Sequence, residues 1–228
     1  MIMDTPILLM LETSTECCSV AVARGTEIIA ERKTETAKQH ASLLAPFVDE
    51  VLKELGMKMT DCDAVAVSEG PGSYTGLRVG VSTAKGLCFG SGRPLLSVGT
   101  LRILAEQGRG KADYIVPMVD ARRMEVYSAV FDGQCNEVRG TEATILDENS
   151  FADLLKDHSV LFIGDGAAKF SNVCKSPNAR FEQCFPLASA MAVPAIEALN
   201  KKEFKDIAYF EPFYLKEFVA GISKKSVL

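Results

Sequence analysis

The chain has 228 residues, of which 47% are hydrophobic and 24% are charged, and its formal net charge is −5. This length and composition are typical of a globular protein with one large domain or two small ones. The acidic balance argues against a protein that grips nucleic acid alone, because phosphate contacts need a basic surface.

Three pairs of adjacent basic residues interrupt this acidic composition, and they are Arg122 with Arg123, Lys201 with Lys202, and Lys224 with Lys225. Isolated pairs of this kind are usually solvated surface residues. The sequence alone therefore assigns no function to any of the three pairs.

The cysteines and the apolar segments indicate the cellular compartment. Cys17 and Cys18, two of seven cysteines, are adjacent in an alternating apolar run, where buried thiols are expected rather than a disulfide. The first apolar stretch, 7–11, is shorter than the apolar core of a signal peptide. No apolar run approaches the ~20 residues of a membrane helix. We therefore expect a reduced, cytoplasmic protein with no membrane association.

The first half of the chain begins with strands and then alternates strand and helix signals. Apolar runs at 7–11, 17–23 and 27–33 predict an antiparallel meander of three strands. Apolar residues at helical spacing then predict a helix that contains Leu44, Val48, Val51, Leu52 and Leu55. The next predicted elements are a strand, a helix, a strand and a short helix at 64–68, 75–90, 95–98 and 99–107. This order is typical of an α/β protein with a mixed sheet flanked by helices.

The second half of the chain begins the same plan again. Strand-like runs at 114–120, 125–131 and around 137–146 predict a second meander. The run at 160–167 then repeats the buried strand and glycine turn of 64–72. We predict two copies of one unit, with an N-terminal domain and a C-terminal domain at 1–105 and 106–228.

Acidic residues end the first strand of each predicted meander. The separation of Glu12 from Gly25 equals that of Asp120 from Gly133, which supports the repeat. Side chains at such strand ends often meet ligands, so Glu12, Asp120 and the adjacent Thr13 and Ser14 are a candidate anion or nucleotide contact. Acidic residues at strand ends also cap turns, and both interpretations remain open.

The segment SEGPGSYTGLRVG, at 68–80, has the glycine content of a phosphate-binding loop. Five residues separate Gly70 from Gly76, whereas the phosphate-loop motif has four, and the spacing also fails the dinucleotide motif. Ser73 or Thr75 can still cap a helix whose free N–H groups bind an anion. Only a weak anion site therefore survives at this helix.

Small residues recur at every fourth position through this segment and the helix after it, and they are Gly72, Gly76, Gly80, Ala84 and Cys88. Each glycine inside a helix costs about 1 kcal/mol relative to alanine. A close backbone contact must offset that cost. The stripe can pack inside the chain or against a partner, and the sequence leaves both arrangements open.

Residues for nucleophilic or metal chemistry are scarce. The only histidines are His40 and His158, so a histidine pair at helical spacing is absent, as is a Cys-x-x-Cys motif. No Gly-x-Ser-x-Gly motif supports a serine nucleophile. We expect neither a catalytic constellation nor a metal site.

Several segments resemble the TsaB family, also called YeaZ, of bacterial tRNA threonylcarbamoyladenosine biosynthesis subunits. GPGSYTGLRVG (70–80), between DAVAVSEG (63–70) and STAKGL (82–87), is similar to the family signature. Further matching segments follow in the same order, and they are ILLMLETSTECCSVAV (7–22), QHASLLAPFVDEVL (39–52), VGTLRILA (98–105), VPMVDARRMEVYSAVF (116–131) and EPFYLK (211–216). The resemblance covers nearly the whole chain.

This resemblance implies an α/β fold of the actin-like ATPase (ASKHA) class, with two duplicated RNase H-like lobes. It also implies a noncatalytic scaffold and activator of TsaD, the transferase that adds a threonylcarbamoyl group to an adenosine beside the tRNA anticodon. TsaD binds its metal through a His-x-x-x-His pair, which this chain lacks. ATP and metal are therefore expected on the partner, with none on this chain. A small ATPase or kinase of the same fold is the alternative.

The resemblance further implies partners: TsaD, the TsaE ATPase in the wider complex, a second copy of the chain when it is alone, and tRNA only through the complex. The family binds TsaD through first-lobe helices. The implied interface residues are Leu44, Phe47, Val48, Val51, Tyr74, Gly76, Leu77, Gly80, Val81 and Ala84. We expect this surface to be exposed in the monomer, so that Gly80→Leu abolishes association and preserves the fold. Glu12 replaces the Asp common in the family, which argues against a tight phosphate or metal site there.

Overall fold

The computed structural model describes residues 5–34 and 39–216, which form two five-stranded sheets flanked by helices. The strands of the first sheet are β1 (Ile7–Glu12), β2 (Cys18–Arg24), β3 (Glu27–Thr34), β4 (Ala64–Gly70) and β5 (Leu95–Gly99). Those of the second sheet are β6 (Tyr114–Asp120), β7 (Glu125–Asp132), β8 (Glu137–Ile145), β9 (Val160–Ile163) and β10 (Ala179–Glu182).

The described helices connect and cover these sheets. They are α1 (His40–Glu54), α2 (Tyr74–Ser91), α3 (Thr100–Gln107), α4 (Ala152–Leu155), α5 (Ala167–Ser171) and α6 (Ala192–Lys201). Short 3₁₀ turns lie at Met59–Asp61 and Ala188–Met191. The predicted strands and helices of the first half are confirmed, whereas β10, α4, α5 and α6 were not identified from the sequence.

The two sheets share one topology. The strand order is β3-β2-β1-β4-β5 in the first sheet and β8-β7-β6-β9-β10 in the second. In each sheet the first three strands are antiparallel, and the fourth and fifth run parallel to the first. The predicted repeat of a meander followed by parallel strands is therefore confirmed.

The first sheet is buried on both faces. Leu9 and Leu11 of β1 point toward α1 and α2, whereas Leu8 and Met10 point toward α6. Successive side chains of a strand point to opposite faces, so an uninterrupted apolar run fits a strand between two helical layers. The position of β1 between two helical layers explains why five consecutive apolar residues occur at 7–11.

Helix α3 lies between the two sheets. Its Ile103 packs in the core of the first sheet, whereas Leu101 and Leu104 pack against Ile115 and Leu161 of the second. One short helix therefore contributes to both lobes. The division at residues 105 and 106 stays a prediction, and this shared helix ends two residues beyond it, at Gln107.

The end of the described chain returns to the first lobe. Helix α6 packs on the first sheet through Ala192, Ala195 and Ala198, although the sequence analysis assigned residues after 105 to the second domain. Beyond α6, the Lys85 ammonium group of α2 donates to the carbonyl oxygens of Ala208, at 3.1 Å, and Phe210, at 3.0 Å. The first lobe therefore contains segments from both ends of the sequence.

The small-residue stripe of α2 packs inside the chain. A Cβ atom added to Gly76 would lie 2.1 Å from the carbonyl oxygen of Thr13, and one added to Gly80 would lie 2.3 Å from the Thr13 hydroxyl oxygen. At Gly72 it would lie 2.3 Å from the carbonyl oxygen of Ser14. The expectation that Gly76 and Gly80 are exposed in the monomer was therefore wrong, because the turn between β1 and β2 occupies that space.

Matched glycine substitutions on α2 test this contact. Gly76→Ala should lower the free energy of unfolding by about 2–3 kcal/mol, because the new methyl group meets a backbone carbonyl that must shift. Gly86→Ala, with nothing within 4 Å, should raise it by about 0.5–1 kcal/mol through helix propensity. Urea denaturation measures both, and equal effects would contradict the packing. By the same reasoning, Gly80→Leu should disrupt folding and not association alone.

Candidate functional site

The turn that follows β1 holds a buried carboxylate. Glu12 is fully buried, and its Oε1 accepts hydrogen bonds from the Ser14 amide at 2.5 Å and the Ser68 hydroxyl at 3.0 Å. Its Oε2 has no hydrogen-bond partner in the described part of the chain. Burial raises the pKa of Glu12 to about 7, although the hydrogen bonds from Ser14 and Ser68 oppose the rise. A large share of the Glu12 population is therefore protonated near neutral pH.

The same turn is closed by α2. Thr13 and Ser14 are fully buried, and the Thr13 hydroxyl donates to the Gly76 carbonyl oxygen at 2.8 Å. The Ser73 amide, which precedes the helix, donates to the Ser14 carbonyl oxygen at 2.6 Å. The Ser73 side chain caps the helix by accepting from the Gly76 amide, as predicted. Helix α2 thus packs directly against the candidate anion contact at Glu12, Thr13 and Ser14, and that contact stays a prediction.

The equivalent turn of the second lobe follows Asp120. The Asp120 carboxylate accepts from the Arg122 amide at 2.5 Å and from the Lys169 ammonium group at 2.7 Å. The Asp120 amide donates to Asp165 at 2.9 Å. Asp120 remains partly exposed to solvent, but its charge is already compensated by Lys169.

An electrostatic interaction links the turn after β1 to the second lobe. Burial raises the pKa of Asp165 to about 6, and the negative charges of Asp120 and Glu16 add to the rise. Glu16 belongs to the turn after β1, so a charge of the first lobe acts on a carboxyl group of the second. No hydrogen bond links Glu12 to Asp120 within the described residues.

Both histidines contact protein groups. The His40 Nε2 atom lies 2.8 Å from the carbonyl oxygen of Thr15 and 3.3 Å from that of Cys17. The His158 ring packs edge-on against Tyr114, with ring centroids 5.0 Å apart. His40 therefore joins α1 to the turn after β1, and His158 belongs to the edge of the second lobe.

Other chemical groups of the described chain are structural in character. In residues 5–34 and 39–216, no group of three or more His, Cys, Asp or Glu side chains is placed to hold a metal ion. Cys18, Cys62, Cys88 and Cys135 are buried thiols, and burial raises the pKa of each to about 11. None of the described helices is both long and apolar enough to cross a bilayer.

Most residues of the predicted partner interface belong to the core. The buried ones are Leu44, Val48, Val51, Gly76, Leu77, Gly80, Val81 and Ala84. These residues hold α1 and α2 on the first sheet. The apolar periodicity in the sequence therefore identified the side of each helix that faces the core. Phe47 and Tyr74 are partly exposed, and these two alone of the ten retain access to a partner.

Four partly buried apolar side chains at the edge of the first-lobe core, together with the exposed Phe89, form a surface that we call the outer helical face. It consists of Phe47, Met59, Val79, Leu87 and Phe89. Phe89 is 86% exposed, and the other four are partly buried. A groove of about 390 Å³ lies beside it, lined by Lys58, Met59, Thr60, Gly86, Leu87, Gly90 and Ser91. Phe89 was not predicted from the sequence as part of the interface. Its position directly after Cys88, which lies on the small-residue stripe, could have indicated an apolar side chain that faces solvent.

Comparisons with known proteins identify the family. Residues 27–224 match the family model described as TsaD: tRNA N6-adenosine threonylcarbamoyltransferase. The tRNA threonylcarbamoyladenosine biosynthesis protein TsaB of Haemophilus influenzae is 31% identical over 95% of this chain and 96% of its own. The chain belongs to the TsaB family.

Solved structures agree with this assignment and with the fold. YeaZ from Pseudomonas aeruginosa is 27% identical, covers 92% of this chain and 100% of its own, and superposes with a TM-score of 0.81. The activator of the 2-hydroxyisocaproyl-CoA dehydratase from Clostridium difficile is 9% identical with a TM-score of 0.51, a likeness of fold alone. The predicted actin-like ATPase fold of two duplicated lobes is confirmed.

The raised pKa of Glu12 predicts a pH-dependent stability. The native carboxyl keeps its proton to about pH 7, whereas the unfolded chain loses it near pH 4.5, so the free energy of unfolding falls as pH rises through this window. Glu12→Gln, which stays neutral, should remove up to about 3 kcal/mol of this fall in urea denaturation at several pH values. The fall due to Asp165, between pH 3.8 and about 6, should remain.

A second variant, Ser68→Ala, should shift the fall in stability to higher pH instead of removing it. Ser68→Ala removes a hydrogen bond that favours the Glu12 carboxylate, so it should extend the fall in stability to higher pH. A profile that is the same in Glu12→Gln and the unaltered chain would contradict the assignment of this titration to Glu12.

Proposed function

We propose that this chain acts in the threonylcarbamoyladenosine modification of tRNA as a noncatalytic scaffold and activator of the TsaD transferase. The observation that carries the proposal is the closed turn after β1, where α2 packs its glycines against Thr13 and Ser14. In a chain that belongs to the TsaB family, this packing favours a role in supporting a partner over a role in holding a reacting phosphate.

The second lobe supports the same role. Lys169 compensates Asp120, and the histidines His40 and His158 already contact protein groups. A small ATPase or kinase of this fold would need phosphate contacts from the turns of both lobes. The buried first turn makes this alternative the weaker of the two.

We propose the outer helical face as the surface that binds the transferase. Phe89 is 86% exposed and lies next to a groove lined by Met59 and Leu87, and contiguous exposed apolar patches of this kind mark interaction sites. Aromatic side chains that can enter a partner's pocket carry much of the energy of protein interfaces. The proposed interface keeps Phe47 from the interface predicted on α1 and α2, and it adds Met59, Val79, Leu87 and Phe89.

We propose the remaining partners on the resemblance to the TsaB family. In the absence of the transferase, the same outer helical face would bind a second copy of the chain. The TsaE ATPase would join the wider complex, and ATP and metal would be held by partner subunits. The net charge of −5 disfavours binding of tRNA by the chain alone, so the chain would reach tRNA through the complex. The complex would act in the cytoplasm.

Co-expression with the transferase of the same organism tests the proposal. Size-exclusion chromatography with mass measurement should give a stable heteromer, and modified tRNA should form only when both chains are present. Failure to associate across a range of salt concentrations would refute the proposal. ATP turnover by the isolated chain, lost in Asp120→Asn, would favour the alternative.

Substitution of Phe89 tests the position of the interface. Phe89→Asp should weaken binding to the transferase by about tenfold or more, because a charge replaces an apolar anchor. The unfolding midpoint should change little, since the side chain is 86% exposed. Calorimetric titration and thermal unfolding measure the two effects.

The control for this variant is Ile145→Asp. Ile145 is 74% exposed on β8 of the second lobe, so the change has similar chemistry at a site remote from α1 and α2. Equal losses of binding in both variants, or normal binding in Phe89→Asp, would show that the outer helical face is not the interface.

A further inference from the structure

The tip of the hairpin between β6 and β7 has an unusual backbone. Arg122 and Arg123 have φ angles of 73° and 51°, in the left-handed region that residues other than glycine rarely adopt. Such a conformation costs on the order of 1–3 kcal/mol per residue, and it persists where surrounding contacts enforce it. Contacts around these two consecutive arginines therefore have to hold the conformation in place.

Hydrogen bonds fix the tip in this conformation. The Arg122 amide donates to the Asp120 carboxylate at 2.5 Å, and the Ala121 amide donates to the Glu125 carbonyl oxygen at 3.1 Å. The Glu125 amide donates to the Arg122 carbonyl oxygen at 3.1 Å, and Lys169 donates to that of Glu125, also at 3.1 Å. The hairpin thus presents both arginine side chains from a rigid backbone.

The two guanidinium groups stand without partners in the described part of the chain. Neither takes part in a hydrogen bond or ion pair there, and both side chains are exposed. Six other arginines donate to carboxylates or carbonyl oxygens, and they are Arg32, Arg93, Arg102, Arg109, Arg139 and Arg180. The two carboxylates at the ends of this hairpin are paired elsewhere, Asp120 with Lys169 and Glu125 with Lys216. Two positive charges therefore remain uncompensated.

The duplicated fold shows what the first lobe does at the same place. There, the 18-residue helix α2 covers the turn after β1. The corresponding helix of the second lobe, α5, has five residues and starts beside Met118, to whose carbonyl oxygen the Gly166 amide donates at 3.0 Å. Among residues 5–34 and 39–216, no segment buries Arg122, Arg123 or Met124, and all three are exposed at the tip of the hairpin.

We propose that Arg122 and Arg123 bind backbone phosphates of the tRNA when the chain is part of the transferase complex, an inference that rests on the proposed function. The planar, always charged guanidinium group matches phosphate oxygens with paired hydrogen bonds. Contacts to phosphates are commonly made by exposed side chains that position a protein on a nucleic acid. Two such contacts suit an acidic chain that needs a partner to hold RNA.

An acidic protein surface fits the tip less well. Arginines that carry the energy of a protein interface are surrounded by packed residues that exclude water. At 121–124, Met124 is the one large apolar side chain, and it is 40% exposed. The tip offers charge without the apolar rim of such an interface.

The salt dependence of tRNA binding tests the inference. Anisotropy of labelled tRNA would be measured with the chain–transferase complex between about 50 and 200 mM KCl. Replacement of both arginines, Arg122→Gln with Arg123→Gln, should make the slope of log affinity against log salt less steep by about 1.4–1.8, as for two lost phosphate contacts. The loss of affinity should therefore be about tenfold greater at 50 mM than at 200 mM KCl.

Two variants serve as controls. Lys201→Gln with Lys202→Gln removes the same charge from an exposed pair at the end of α6 and should leave the slope unchanged. Arg122→Lys with Arg123→Lys keeps the charge and should retain most of the slope while losing paired hydrogen bonds. Circular dichroism and melting temperature confirm that each variant is folded.

Each contrary outcome overturns the inference. An unchanged slope in the glutamine variant would exclude phosphate contacts by Arg122 and Arg123. An equal change of slope in the Lys201 and Lys202 variant would show that the effect depends on net charge and not on the position of the arginines. If the glutamine variant no longer joins the transferase while the lysine-pair control does, the arginines bind protein and not RNA.

If the unaltered chain forms no complex, the proposed function fails and this inference fails with it. An intact complex with an unchanged slope refutes this inference alone.

Discussion

The packing of the α2 glycines against the turn after β1 is the contact on which the first lobe depends. At Gly72, Gly76 and Gly80 a single added carbon would collide with Thr13 or Ser14. The backbone cost of glycine in a helix, about 1 kcal/mol at each interior position, is offset by the close approach that it permits. This approach buries Glu12 and determines which side of α2 faces solvent.

The same contact determines which side chains of α2 are buried and which are exposed to solvent. With its small side chains against the turn, α2 turns Phe89 outward, beside the groove at Met59. The lobe thereby covers the turn after β1 and leaves Phe89 exposed, on the surface that we propose for association. In the second lobe the short α5 contacts the hairpin through Lys169, and Arg122 and Arg123 stay exposed among the described residues. One duplicated unit has thus produced two different turns.

Local sequence patterns predicted the parts of the fold that local physics controls. The uninterrupted run at 7–11 indicates a strand buried on both faces, and Ser73 indicates the start of α2. The return of α6 to the first sheet depends on packing between residues far apart in sequence, which no local pattern contains. β10 was missed because its sequence, ARFE, is short, polar and partly exposed.

The candidate site was harder to predict than the fold. A glycine stripe has the same sequence whether it packs inside a chain or against another molecule, so the direction of Gly76 and Gly80 required the structure. The apolar periodicity of α1 likewise identifies Leu44 and Val48 as one face without stating that this face is the inner one. The left-handed backbone at Arg122 has no signal in residue type, because arginine rarely adopts it.

Hydrogen–deuterium exchange on the isolated chain, with magnesium ATP, and with the transferase tests the central claim most directly. The account predicts that the transferase protects amides of the outer halves of α1 and α2, while magnesium ATP alone leaves the exchange of 12–16 and 120–124 unchanged. Protection of those two turns by nucleotide in the isolated chain, without protection of α1 and α2 by the transferase, would contradict it.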